Sequence, residues 1–147
     1  QLSGRAGRTG KPATVYFQTY NAKSSTISNI TNDNPDIFLE KELEIRNRNN
    51  LPPYERFISI IISGKNEKKI QLFANRLKEK LDKSLNAKIL GPVIAPIYKI
   101  NKNFRYRILI RSKKTQKIQK NLSYVLNNFK KHKEIKLAVD VDPISFN

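Results

Sequence analysis

The stretch FRYRILIRS, residues 104–112, decides how the rest of the chain is read. Its side chains alternate without a break. Phe104, Tyr106, Ile108 and Ile110 fall on one side of an extended backbone, and Arg105, Arg107, Leu109 and Arg111 on the other. Aromatic and β-branched residues suit a half-buried pleated surface, so this is a strand with one apolar and one arginine-rich face. The apolar face needs cover, and its neighbours supply it. VIAPIYKI (93–100) is a second strand-like run, joined to the first around NKN (101–103) as a hairpin and preceded by a Gly-Pro break in ILGP (89–92). Further upstream, NEKKIQLFANRLKEKLDKSL (66–85) sets Ile70, Phe73, Ala74, Leu77 and Leu81 on one helical face, and FISIIIS (57–63) is a strand ending at Gly64. Downstream, QKIQKNLSYVLNNFKK (116–131) is a second amphipathic helix through Ile118, Leu122, Val125, Leu126 and Phe129. EIKLAVDVD (134–142) closes as a strand, with Ile135, Leu137, Val139 and Val141 alternating.

The order is therefore strand, helix, strand, strand, helix, strand. That predicts an α+β domain over residues 57–147: a four-stranded antiparallel sheet with two helices on one face, in the split ferredoxin-like arrangement, and the other face open. Phe104, Tyr106, Ile108 and Ile110 must then face the helices. Arg105, Arg107 and Arg111 line the open face, beside the loop carrying Lys99 and Lys102. Asp140 and Asp142 on the closing strand are possible partners for these arginines. The ferredoxin-like order, however, puts the first strand between, which argues against direct pairing.

Ahead of this domain the pattern is less regular. GKPATVYFQTYN (10–21) alternates Val15 and Phe17 with Tyr16 and Gln18 and predicts a strand, while AKSSTISNITND (22–33) has no periodicity and predicts a loop. NPDIFLEKELEIRNRNN (34–50) predicts a helix. Asn34 is its N-cap, Pro35 its first residue, Asp36 sits at the positive end of its dipole, and Glu42–Arg46 and Glu44–Arg48 are spaced four apart. Its carboxylates are those of a solvated face. LPPY (51–54) ends it, and a boundary falls there, with residues 1–50 as one region and 51–56 as a linker.

Composition narrows the function classes. The 147 residues contain no cysteine, and a single histidine, His132, lies in a lysine-rich run; neither a disulfide framework nor a thiolate metal site is available, and no metal ligand set is predicted. The longest apolar run is far too short to cross a membrane and no signal-peptide pattern precedes it, so the chain reads as cytoplasmic. The formal net charge is +17. Residues 1–56 carry 8 basic and 6 acidic side chains, residues 57–147 carry 21 and 6, so the charge belongs to the second half. Lys, Asn and Ile make up 54 residues, as a chain from an A+T-rich genome would, but such drift does not segregate charge. A polyanionic partner follows from the segregation.

The chain has no methionine and opens on QLSGRAGR, residues 1–8, so it reads as a piece of a longer protein. Arginine forks bind phosphate oxygens and stay charged, and the glycines permit close approach. By itself the stretch also suits a flexible basic loop. It resembles the last motif of superfamily-two helicases, Gln-x-x-Gly-Arg-x-Gly-Arg. QTYN after a strand, PPY, ILGP followed by IAPI, FRYRILIRS and DVDP stand in the order and spacing of the primosomal replication-restart helicases. The resemblance covers nearly the whole chain.

That resemblance implies that residues 1–50 end a RecA-like lobe. It implies that Gln1, Arg5 and Arg8 meet a nucleotide between two such lobes, Arg8 as arginine finger and Arg5 as its partner. It implies a parent protein that is an ATP-dependent 3′-to-5′ DNA helicase using ATP and magnesium and carrying zinc, with the phosphate loop, magnesium motif and zinc cysteines upstream of this stretch. The implied partners are branched forks and single-stranded DNA, other primosome proteins, the replicative helicase loading machinery and single-strand-binding protein, with no membrane. The fragment alone would not hydrolyse ATP. The alternative is a non-enzymatic basic nucleic-acid-binding module, RNA- or ribosome-associated; the basic second half fits both, and only QLSGRAGR and the QTYN strand discriminate.

Overall fold

The structure, a computed structural model, describes residues 10, 12, 14–30, 35–115 and 117–143. The chain divides into two compact units, residues 1–43 and 44–147. In the first, two expectations are corrected. Residues 14–19 join no ladder among the described residues, and Val15, Tyr16 and Phe17 are exposed. Alternation alone does not make a strand; a hydrogen-bonded neighbour does. The run expected to be a loop contains a short helix, α1 (Ser25–Ile30). Ser24 starts it, its hydroxyl accepting from the Ile27 N–H at 3.2 Å, the capping interaction that hydrophobic periodicity does not register.

Helix α2 (Pro35–Arg48) forms where expected and carries the Glu44–Arg48 ion pair at 3.4 Å. Its proposed N-cap, Asn34, lies outside the described residues. At its other end Asn50 turns left-handed (φ 52°), the Leu51 N–H returns to the Arg46 carbonyl at 2.8 Å, and the Arg46 guanidinium donates to the Pro52 carbonyl at 3.1 Å.

The second unit holds β1 (Glu55–Gly64), α3 (Glu67–Ser84), β2 (Lys88–Ile100), β3 (Asn103–Lys113), α4 (Gln119–Asn128) and β4 (Lys136–Val141). The strands form one antiparallel sheet in the order β2-β3-β1-β4. β1 starts at Glu55, two residues before its alternating run, so Glu55 and Arg56 belong to the sheet. Ile58 pairs with Ile110, Ile60 with Ile108 and Ile62 with Tyr106, and all six are buried against the helices. α3 is capped by Asn66, whose side chain accepts from the Lys69 N–H at 3.0 Å, and buries the five residues its periodicity marked. α4 buries Leu122 and Val125, and Phe129 just beyond it meets Phe73 edge-on at 5.2 Å.

β2 and β4 are the edges of the sheet, and both depart from the expected pattern. The Gly-Pro break lies inside β2, as an irregularity between Leu90 and Val93, and a second follows between Ile94 and Lys99. Gly91 has φ +96°, and a Cβ there would stand 2.7 Å from the Arg107 carbonyl, so only glycine fits. Pro92 and Pro96 are tolerated because an edge strand need not donate along its outer side. The hairpin closes through Asn101 (φ 49°) and Lys102 (φ 63°), the two left-handed residues of a type I′ turn. In β4, Ile135 just ahead of the strand is buried and Leu137 half-buried, but Val139 and Val141 stay 43% and 45% exposed. They sit opposite Ile60 and Ile58, on the correct side, and the helices do not reach over that corner of the edge.

Candidate nucleic-acid interface

The open face is built from odd-numbered positions of β1 and β3 and the residues paired with them. Register puts Ser59 opposite Leu109, Ile61 opposite Arg107 and Ser63 opposite Arg105 on one side of β1, with Asp140 and Ala138 on the other. Arg105, Arg107 and Arg111 thus share the face turned away from α3 and α4, as the alternation required. Between the first two of them and β4 lies a groove of about 240 Å³. Ile61, Ala95 and Ala138 line its apolar part; Arg105, Arg107, Ser59 and Asp140 supply its polar groups. Arg105 is steadied by donating to the Ile97 carbonyl at 3.3 Å. An apolar patch flanked by guanidiniums suits a polyanion whose units also carry flat apolar groups.

The third arginine behaves differently. Arg111 Nε lies 2.7 Å from Glu55 Oε2, and both side chains are largely buried. Its carboxylate partner is therefore on the adjacent strand β1, not on β4; just past the end of β4, Asp142 instead meets Arg56 at 3.2 Å. Sequence reasoning missed Glu55 because it had been assigned to the linker. The signal was its parity: counting back by twos from Ser59 through Phe57 places it on the arginine face.

The two lysines expected beside the arginines are separated. Lys102 is exposed at the tip of the hairpin. Lys99 lies opposite Phe104 and sets its ammonium 4.5 Å from that ring, which puts it on the helix side of the sheet. The irregularity between Ile94 and Lys99 breaks simple alternation, so parity could not place it. Next to it, Tyr98 and Tyr106 both donate to the Glu67 carboxylate in the first turn of α3, Tyr106 at 3.0 Å. The Tyr98 bond, then the Tyr106 bond, hold Glu67 below its ordinary value, helped by Lys99, and the carboxylate pushes Tyr98 up to about 12. This cluster fastens the hairpin to α3. Gln1, Arg5 and Arg8 lie outside the described residues. Among the described residues no cluster of His, Cys, Asp and Glu could hold a metal, and no helix is long and apolar enough to cross a membrane.

The family described as the Primosomal protein N C-terminal domain matches residues 47–144, from the end of α2 past β4. The chain belongs to this family. The primosomal protein N domain thus comprises the whole sheet, both covering helices and the open arginine face. Among curated proteins, the Replication restart protein PriA of Rickettsia felis is 38% identical over 99% of this chain and 22% of its own length. That of Borreliella burgdorferi is 32% identical over 99% and 22%, and that of Bacillus subtilis 29% over 97% and 18%. The chain spans about a fifth of these relatives' length. Among solved structures, the de novo designed protein Foldit4 overlays 62% of this chain and 99% of its own, with a TM-score of 0.48 and 19% identity.

Proposed function

We propose that this chain is the C-terminal part of a replication restart protein, an ATP-dependent 3′-to-5′ DNA helicase, and that residues 57–147 are its DNA-binding domain. The single observation that carries the DNA-binding part is the open face, where Arg105 and Arg107 flank an apolar groove and Arg111 lies further along the same side of β3. The names of the relatives support the restart role, and strand order β2-β3-β1-β4 supports the split ferredoxin-like arrangement. Guanidiniums neutralise backbone phosphates, while Ile61, Ala95 and Ala138 offer an apolar surface to an unstacked base. Single-stranded DNA, exposed at branched forks, presents both groups. Residues 1–50 are proposed to close a RecA-like lobe, and 51–56 to link it to the DNA-binding domain.

In the complete protein Arg8 acts as arginine finger, Arg5 as its partner, and Gln1 contacts the nucleotide. ATP with magnesium would be bound there together with segments upstream of this stretch. A chain with no cysteine and one histidine offers no zinc site of its own, so zinc belongs to the rest of the parent. Loading of the replicative helicase, other primosome proteins and single-strand-binding protein are partners of the parent under this reading. The test is Arg8→Ala in the complete protein. ATP turnover should fall by roughly 10³–10⁵, the usual worth of an arginine finger, with DNA affinity kept. Equal loss of both, or of neither, contradicts the assignment.

A further inference from the structure

β3 continues past the groove to a second cleft, at the end of the sheet. Register sets Lys88 of β2 directly opposite Arg111, and Glu55 directly opposite Lys113. All four therefore stand on the same side of the sheet as Arg105 and Arg107. Like charges placed directly opposite each other repel. Here one carboxylate, Glu55, serves three cations, and its ion pair is with Arg111. Among the described residues neither Lys88 nor Lys113 has an ion-pair partner, so the corner carries a surplus of two positive charges. A cleft of about 370 Å³ opens at this point, bounded by Asn86 of the α3–β2 connection and by Ser112. Ser112 is only 3% exposed, and its hydroxyl has no hydrogen-bond partner among the described residues. Ser112 keeps the parity of Ile108 and Ile110, so that hydroxyl belongs to the helix side of the sheet and the corner's charge comes from Lys88, Arg111 and Lys113 alone.

We infer that this corner is a phosphate subsite, taking one backbone phosphate of single-stranded nucleic acid whose adjoining nucleotides occupy the Arg105–Arg107 groove. The polymer part of this statement rests on the open-face reading above; the affinity for phosphate rests on the corner's own cations. From Arg107 to Arg111 is four residues, about 13 Å along a strand rising about 3.3 Å per residue, so corner and groove contact different nucleotides.

The test uses the 147-residue chain and a labelled oligothymidylate, with affinity read by anisotropy across a salt series. Lys88→Ala/Lys113→Ala should remove up to two phosphate contacts and shallow the salt slope by up to about 1.4, at about 0.7 per contact on single strands. The charge-matched pair on α3, Lys68→Ala/Lys83→Ala, should leave the slope in place; an equal drop there reduces the effect to net charge and overturns the subsite. If Arg105→Ala/Arg107→Ala lowers the slope and Lys88→Ala/Lys113→Ala does not, the subsite falls and the open-face reading stands. A lysine effect with no arginine effect does the reverse. Displacement of the oligonucleotide by millimolar inorganic phosphate at constant ionic strength would assign the corner to free phosphate and overturn the proposal.

Discussion

The two faces of the sheet are made from the same strands, one residue out of phase. On one, Ile58, Ile60, Ile62, Tyr106, Ile108 and Ile110 are closed under α3 and α4. On the other, Ser59, Ile61, Arg105, Arg107 and Arg111 point away from α3 and α4. The first face is specified by volume, because a close-packed interior registers a lost methylene. The second is specified by charge and by what it leaves uncovered. Under the proposed function, stability and binding fall to opposite parities of two strands, so that either can be altered with little effect on the other.

The largest effect should come from the covered face. Ile60→Ala should destabilise by about 2–5 kcal/mol, the range for large-to-small changes in a packed core. Urea unfolding measures it; a loss under 1 kcal/mol would mean that the helices do not close over β1. Next comes Gly91→Ala, which forces an alanine to φ +96° with its Cβ 2.7 Å from the Arg107 carbonyl. A penalty of about 1–3 kcal/mol is expected. Because that carbonyl belongs to a groove arginine, single-strand binding should weaken in the same variant, which the core change Ile60→Val on the covered face should not reproduce.

A smaller effect is set by pH. Glu67 is held below its ordinary value of 4.5, so its contribution is present above that pH and is lost as pH falls through the lowered value. Tyr98 is raised from 10.0 to about 12, so its contribution is full below pH 10 and is lost as pH rises towards 12. Tyr98→Phe should shrink both losses in unfolding midpoints taken from pH 3 to 6 and from 9 to 12. Unchanged losses would mean that the hairpin is fastened to α3 by other contacts. The smallest expected effect is that of Glu55→Gln. Removing the one carboxylate among three cations should tighten oligothymidylate binding and steepen the salt slope by up to about 0.7. Weaker binding would show that Glu55 positions Arg111 for its ligand and does not compete with it.

Much of this comparison was legible in the sequence, for a physical reason. Where a strand is central and regular, as β1 and β3 are, alternation fixes the face of each residue, and the isoleucines and arginines fell where it put them. It failed wherever the ladder was interrupted. Lys99 follows an irregularity in β2 and crosses to the Phe104 side; Val139 and Val141 keep their parity, but an edge strand outruns its cover. Glu55 was lost to the linker because a charged residue gives no hydrophobic signal at a strand's start. The short helix α1 depends on a cap at Ser24, and the expected strand at Val15–Phe17 joins no ladder among the described residues, so neither could be judged from periodicity. The open face itself was foreseen; its carboxylate and its second cleft depend on cross-strand register, which one strand read alone does not contain.

The central claim is that the uncovered face binds single-stranded nucleic acid through its arginines. Arg105→Ala/Arg107→Ala/Arg111→Ala in the 147-residue chain tests it most directly, by oligothymidylate affinity over a salt series with urea unfolding as the control. The account predicts weaker binding and a salt slope shallower by up to about 2, three contacts at about 0.7 each, with the fold retained. Affinity and slope both unchanged in a folded variant would contradict it, and would move the interface to the lysines that lead from Lys113 at the end of β3 into α4: Lys114, Lys117 and Lys120.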